Sequence, residues 1–206
     1  MAKQYVSNKD ETLRLFKSDF FEFFSRVHFT VPLFLFIPVI LYCLYLSIFE
    51  LRFAALAIAA WSLFGLVIWT FTEYTLHRFV FHFTPHGKIL ETIHFMVHGV
   101  HHDYPNDALR LVMPPSVSIP LSIGFYLLFG AVISTGNLAA FFPGFLAGYL
   151  FYDISHYAIH HGNFTSNFWK RMKQHHMLHH YSDPDKGYGV SSRLWDMVFG
   201  SDFSKK

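Results

Sequence analysis

The stretch HFMVHGVHHDY, residues 94–104, places four histidines within nine positions. On a helix that turns about 100° per residue, positions i, i+3 and i+4 fall within one arc. His98, His101 and His102 have this spacing and are predicted to point the same way. Three neighbouring imidazoles are typical of a metal site. The fold is therefore expected to bring further ligands to this stretch, with His94 as a neighbour of the site.

Three other histidine clusters have comparable helical spacing. The candidate ligands are His77 and His82 from HRFVFH, His98, His101 and His102 from HGVHH, His156 and His160 from HYAIHH, and His176, His179 and His180 from HMLHH. Ten imidazoles exceed the four ligands of one tetrahedral zinc and suit two metals with about five each. Imidazole accommodates iron, zinc, copper and nickel, so the ligands do not choose the metal. The histidines predicted not to bind are His28, His86, His161 and His175.

His77 and His82 depart from the common spacing. Residues five apart diverge by about 140° on an ideal α-helix. Either these two histidines serve different metals, or the helix is broken between them.

Acidic and aromatic residues beside the clusters are further site candidates. A metal-bound imidazole usually donates its other N–H to a carboxylate or a carbonyl. Glu73, four residues before His77, and Asp153, three before His156, lie on the matching helical side and are predicted to accept those bonds. Tyr104 and Tyr181 follow the HxxHH motifs. They either bind substrate head groups or a metal-bound water, or anchor the chain at the membrane interface.

The composition indicates a membrane protein. Only 15% of the 206 residues are charged, against about 25% in soluble domains. The single cysteine, Cys43, excludes an internal disulfide and any site that needs two thiolates. A formal net charge of +2 gives no argument for a nucleic-acid partner.

Four uncharged apolar runs predict four membrane helices in two hairpins. Residues 29–49 and 53–72 have the roughly 20 residues that a crossing requires. Residues 117–134 and 138–152 are shorter and contain Pro120 and Pro143, so they form either kinked spans or one re-entrant hairpin, with a turn at STGN (134–137). Of the 16 Lys and Arg residues, only Arg52 lies between the first two runs. The positive-inside rule therefore places both termini and the middle loop in the cytoplasm.

The predicted fold is all-α, with a cytosolic helical cap that holds a dinuclear metal site beside the membrane helices. Residues 29–206 are expected to form one domain. Residues 1–28 precede the first span, and Leu13, Phe16, Phe20 and Phe24 are spaced as on an amphipathic helix at the membrane surface.

These motifs resemble the fatty acid hydroxylase superfamily of integral-membrane di-iron enzymes, and within it the fatty acid 2-hydroxylases. The resemblance is carried by EYTLHRFVFHF (73–83), HFMVHGVHHDYPNDALRLVMPP (94–115), YDISHYAIHHG (152–162), HHMLHHY (175–181) and GYGVSSRLWDMVFG (187–200). It implies that the ten histidines named above hold two iron ions, for which zinc can substitute in purified protein. The implied reaction is O₂-dependent hydroxylation of a membrane lipid, at the 2-position of a fatty acid or a sphingolipid N-acyl chain.

Other activities share the same histidine motifs. Sterol desaturases, sterol methyl oxidases and carotenoid hydroxylases of the superfamily remain alternatives. A metal transporter is a remote one, since transporters carry ionisable ligands near the bilayer midplane and these runs have none.

The resemblance also bears on the source of electrons and on the membrane in which the protein resides. Many eukaryotic members carry a fused cytochrome b5-like domain, for which residues 1–28 are too short. A separate donor is therefore expected, either a cytochrome b5-like protein or a ferredoxin with its reductase. The terminal SKK (204–206) is not a standard dilysine retrieval signal. Both features favour a bacterial inner membrane over the endoplasmic reticulum.

Overall fold

The computed structural model describes residues 5–203, which are helical with no strand among them. Residues 1–4 and the terminal SKK lie outside the described residues. The helices are α1 (Asp19–Phe24), α2 (Val31–Tyr45), α3 (Ala55–Thr75), α4 (Lys88–His94), α5 (Val100–Asp103), α6 (Pro115–Gly130), α7 (Thr135–His161), α8 (Asn167–Tyr181) and α9 (Leu194–Phe199). Three π-helical segments continue α2, α3 and α4: Leu46–Glu50, Leu76–Phe81 and Phe95–Gly99.

Three helical stretches are long and apolar enough to cross a membrane: Val31–Glu50, Ala55–Phe81 and Thr135–His161. The last two have 27 residues each. At 1.5 Å per residue they are about 40 Å long, whereas the hydrocarbon core is about 30 Å thick. Their ends therefore extend beyond the lipid, and these ends carry His77, His156 and His160. Helix α6 has 16 residues and is shorter than a typical span, so a fourth crossing stays a prediction.

Helix α7 differs from its prediction in extent. The apolar run 138–152 forms the middle of a helix that begins at Thr135 and continues to His161. The turn before it spans residues 131–134, so most of the predicted STGN turn is already helical. Pro143 lies inside this helix, and Ser62 of α3 donates a hydrogen bond of 2.8 Å to the nearby carbonyl of Ala140. This bond ties α3 to α7 next to Ala139, whose carbonyl loses its intrahelical donor at the proline.

The N-terminal amphipathic helix forms only in its last part, α1. Buried Glu22 explains this difference, because its carboxylate accepts 2.9 Å hydrogen bonds from the backbone N–H groups of Leu15 and Phe16. Those bonds hold the chain before α1 in a non-helical path. Glu22 also pairs with Arg110 at 3.0 Å, which fixes this segment against the histidine-bearing loops. Apart from Asp19, the exposed side chains of α1 are still apolar, as a helix at a membrane surface requires: Phe20, Phe21, Phe23 and Phe24.

Helix α7 is the centre of the fold and packs against α2, α3 and α6. Its contact with α3 is close because glycines face the partner helix, as is common between membrane helices. A Cβ atom at Gly144 would overlap the carbonyl of Ser62, and one at Gly148 would lie 2.6 Å from the Trp69 ring. Gly65 of α3 has the same relation to the backbone of Phe141. These contacts set the separation between α7, which carries His156 and His160, and α3, whose π-helical continuation carries His77.

We expect Gly144→Ala to lower the apparent unfolding temperature of the protein in detergent, since the added methyl group forces α3 and α7 apart at a cost of about 1–3 kcal/mol. Gly124→Ala in α6 is the matched control, because its Cβ would meet nothing within 4 Å. That control should unfold at or slightly above the wild-type temperature, as alanine favours helix. Unfolding of Gly144→Ala at the wild-type temperature would contradict the close α3–α7 contact.

Candidate metal centre

The ten predicted ligands lie together in two groups of five. We call them the His77 group, with His77, His82, His98, His102 and His179, and the His156 group, with His101, His156, His160, His176 and His180. Within each group, one ligand atom from every side chain lies within 4.8 Å of all the others. The two groups are adjacent, since His102 stacks on His180 with ring centroids 4.3 Å apart. The structure thus brings every candidate histidine to one place.

A π-helical segment resolves the unusual spacing of His77 and His82. The backbone N–H of His82 donates to the carbonyl of His77 at 3.1 Å, five residues earlier. This wider turn brings residues five apart onto nearly the same side of the helix. Both histidines therefore join the His77 group. The π-helical turn explains the five-residue spacing, and the two histidines do not belong to separate groups.

Each HxxHH motif contributes to both groups. In the first motif His98 and His102 enter the His77 group while His101 enters the His156 group. The second motif is divided in the opposite sense, with His179 in the His77 group and His176 and His180 in the His156 group. The prediction that the three histidines of each motif face one site is therefore too coarse. An arc of 100° is wide enough to face two adjacent sites.

The Nε2 atoms of neighbouring imidazoles have the spacing that a shared cation produces. In the His77 group, Nε2 of His98 lies 3.2 Å from Nε2 of His77 and 3.0 Å from that of His82. In the His156 group, Nε2 of His176 lies 3.0 Å from Nε2 of both His156 and His160. Two nitrogens bound at about 2.1 Å to one metal at right angles are about 3.0 Å apart. The donor set and its geometry therefore fit a metal ion in each group.

The protonation of the rings agrees with this fit. Nδ1 of His77 donates to the carbonyl of Tyr188 at 2.5 Å, Nδ1 of His156 to Leu111 at 2.9 Å, and Nδ1 of His179 to Lys186 at 2.7 Å. An Nδ1 that carries the proton leaves a lone pair on Nε2 of a neutral imidazole. Nε2 of His179 is buried without a hydrogen-bond partner among the described residues. These lone pairs face one another, an arrangement that a cation between them stabilises.

The carbonyls of Tyr188 and Leu111 take the place predicted for Glu73 and Asp153, neither of which accepts the imidazole bond. Glu73 instead binds the backbone of Val190 and Ser191, and Asp153 that of Met113. The geometric reason is that a side chain one turn earlier on the same helix lies beside the histidine, while the Nδ1 atom points across to a loop. The sequence could not reveal these carbonyl partners, because every residue has a backbone carbonyl and no residue type marks the one that accepts the bond.

Burial keeps the histidines outside the membrane spans uncharged. Burial, followed by repulsion from neighbouring imidazoles, lowers the pKa of His82 to about 3. Burial lowers the pKa of His179 to about 4. The same causes hold the pKa of five others well below the usual range: His98, His101, His102, His176 and His180. Neutral imidazole is the form that binds metal, so the site is ready to bind at neutral pH.

The histidines not predicted as ligands lie outside both groups. His94 contacts the ring of Phe83, and His161 stacks on Tyr157. His175 is buried but its Nε2 lies 3.1 Å from the carboxylate of Asp196, facing away from the groups. His28 pairs with Thr30, and His86 lies in the loop before α4.

A cavity of about 360 Å³ adjoins the histidines. His98, His101 and His156 form part of its wall. The remaining lining is mostly apolar. It includes residues of α1 and the chain before it, the second and third π-helical segments, α5, residues 110–117 and α7, among them Phe24, Phe81, Val97, Val112 and Val117. Tyr104 and Tyr181 do not line it. Tyr181 instead donates to Asn8 at 2.7 Å, so its predicted contact with substrate has no support in this geometry.

Comparison with known proteins places these features in a family. The sequence model of the fatty acid hydroxylase family matches residues 61–201. The chain is 40% identical over 190 residues to dihydroceramide fatty acyl 2-hydroxylase FAH2 of Arabidopsis thaliana, covering 91% of this chain and 79% of that protein. It is 41% identical over 141 residues to the ceramide very long chain fatty acid hydroxylase scs7 of Schizosaccharomyces pombe, covering 67% and 41% of the two chains.

A solved structure gives the same relation in three dimensions. It is described as full-length scs7p with only the hydroxylase domain visible, and it superposes with a TM-score of 0.85 at 35% identity. The match covers 90% of this chain and 70% of that one. The sequence profile, the relatives and the shared architecture agree, and the chain belongs to the fatty acid hydroxylase family.

Proposed function

We propose that this protein is a membrane-bound monooxygenase that hydroxylates the 2-position of a lipid acyl chain, most directly the N-acyl chain of a sphingolipid. The observation that carries the proposal is the apolar cavity whose wall contains three histidines from two five-imidazole groups. Family membership supports it, as do relatives that are dihydroceramide and ceramide acyl hydroxylases. The overall reaction consumes one C–H bond, O₂, two electrons and two protons, and yields the alcohol and water.

The His77 group would hold one iron ion and the His156 group the other, and zinc could occupy the same positions in purified protein. The bound metals would supply O₂ reduction and oxidation of the C–H bond with electrons from a separate donor, such as a cytochrome b5-like protein or a ferredoxin with its reductase. The chain itself keeps the imidazoles neutral and aims their Nε2 atoms inward. It also surrounds the reacting carbon with apolar side chains, which exclude water.

The cavity suits an acyl chain in both size and lining. Its volume of about 360 Å³ lies within the range of small-molecule sites. Val117 at the start of α6 and Phe24 of α1 line it on the side of the membrane-facing segments. A chain that enters between them would bring the carbon beside its carbonyl to His98, His101 and His156. The rest of the lipid would stay in the bilayer.

The membrane arrangement that fits this chemistry has four crossings and a cytoplasmic site. Helix α6 would cross with the help of its flanking residues, and residues 29–206 would act as one hydroxylase domain. Helix α1, with its exposed phenylalanines, would lie on the membrane surface. The distribution of Lys and Arg supports cytoplasmic termini. The named relatives are eukaryotic, so they lend no support to the bacterial inner membrane favoured by the sequence.

Expression in a host that lacks its own 2-hydroxylase should increase 2-hydroxy acyl chains in sphingolipids, as measured by mass spectrometry of hydrolysed lipids. His102→Ala and His180→Ala each remove one ligand from a different group and should abolish the increase. His161→Ala, an exposed histidine outside both groups, is the control and should retain it.

Two results would contradict the proposal. Oxidised sterols or carotenoids that increase in place of 2-hydroxy acyl chains would assign the protein to another activity of the superfamily. Full turnover in both His102→Ala and His180→Ala would remove the two-metal site.

A bulky residue at the cavity wall should block the lipid without removing the metals. Val117→Trp is expected to reduce product formation by at least tenfold, because the indole occupies space where the acyl chain would lie. Val132→Trp is the matched control, since Val132 is 79% exposed and does not line the cavity. Metal content, measured by plasma mass spectrometry, should equal that of wild type in both variants. Wild-type turnover in Val117→Trp would show that the chain binds elsewhere.

A further inference from the structure

Glu73 is fully surrounded by protein, yet it touches none of the candidate ligands. One carboxylate oxygen accepts hydrogen bonds from the backbone N–H groups of Val190 and Ser191, both at 2.8 Å. The other accepts a bond from the hydroxyl of Ser191. A buried carboxylate is costly unless it is bonded in this way. Its three bonds all go to one stretch of the chain, residues 186–191, which follows α8.

The same stretch supplies the carbonyls that hold two ligands of the His77 group. The carbonyl of Tyr188 accepts the Nδ1 proton of His77, and that of Lys186 accepts the Nδ1 proton of His179. Asp196 also fixes this stretch, because it accepts bonds from the N–H groups of Tyr188 at 2.9 Å and Gly189 at 2.8 Å. Glu73 and Asp196 thus hold the segment on which the orientation of two imidazoles depends.

Asp153 has an equivalent place beside the His156 group. Its carboxylate accepts a 3.3 Å bond from the N–H of Met113, and the carbonyl of Leu111, two residues earlier, accepts the Nδ1 proton of His156. Each of the two acids holds the segment that follows the HxxHH motif farther from it along the chain. Glu73, in the first half of the chain, holds the segment after the second HxxHH motif, whereas Asp153 holds the segment after the first.

We propose that Glu73 is a positioning residue for the His77 group. It fixes residues 186–191 so that the carbonyls of Tyr188 and Lys186 orient His77 and His179 with their Nε2 atoms facing inward. It acts through length and hydrogen-bond acceptance, not through its charge. The inference rests on the proposed function, because it assumes that the His77 group binds a metal.

Two substitutions separate these roles of Glu73. Glu73→Gln keeps the length, and its amide can accept from the two backbone N–H groups and donate to the Ser191 hydroxyl. Glu73→Asp keeps the charge but is one methylene shorter, so its carboxylate no longer reaches the N–H groups of Val190 and Ser191. If Glu73 acted by compensating the charge of a cation, the aspartate would serve and the glutamine would fail.

The test measures zinc affinity of the purified full-length protein by competition with a chelator, with helical content followed by circular dichroism. Wild type should bind two ions. Glu73→Asp should weaken one of them by about 10- to 100-fold, the usual effect of losing an outer hydrogen bond at a metal site. Glu73→Gln should leave both unchanged. In a His82→Ala background, where the His77 group is already disabled, Glu73→Asp should not weaken the remaining ion, whereas Asp153→Ala should.

Other outcomes would overturn the inference. Weakened zinc binding in Glu73→Gln would overturn the inference, and wild-type affinity in Glu73→Asp beside that loss would show that charge is what matters. Loss of both ions in Glu73→Asp would show general damage to the fold. Should Glu73→Asp fail to fold, Ser191→Ala removes only the hydroxyl bond and should weaken one ion selectively; unchanged affinity there would overturn the inference. A wild-type protein that binds no zinc or iron would overturn the proposed function itself.

Discussion

The structure depends on holding ten uncharged imidazoles against one another. Their Nε2 atoms lie about 3 Å apart, a spacing at which two protonated rings would repel strongly. The protein solves this by burial, which disfavours the charged form, and by backbone carbonyls that take the Nδ1 protons of His77, His156 and His179. This need to hold the imidazoles close together and uncharged accounts for the helices, π-helical segments and loops around the site.

Membrane helices suit the requirement because they are rigid and longer than the lipid is thick. Helix α7 carries His156 and His160 directly beyond its apolar part, and its glycine contacts with α3 fix it beside the helix that leads to His77. Under the proposed function, the metal-facing residues would thereby lie just outside the hydrocarbon. A lipid can then bring its reactive carbon to the site while most of its chain remains in the bilayer.

The sequence predicted the all-helical membrane fold and the set of histidines that converge, because apolar runs and HxxHH spacing follow directly from helix geometry. It could not predict how each triplet divides between two groups, since that depends on where α5 and α8 lie relative to each other. The π-helical segment between His77 and His82 was not predicted, because the five-residue spacing suggested either ligands of different metals or a broken helix. The sequence gives no sign of which loop carbonyls accept hydrogen bonds. It therefore predicts imidazole bonds to Glu73 and Asp153 that the carbonyls of Tyr188 and Leu111 accept instead.

The most direct test of this account is a crystal structure of the iron-loaded protein with anomalous difference maps recorded at the iron edge. The account predicts two peaks per chain, one within about 2.1 Å of Nε2 atoms in the His77 group and one similarly placed in the His156 group. A single peak, or metals bound by Glu73 or Asp153, would contradict the division of ten histidines into two metal sites.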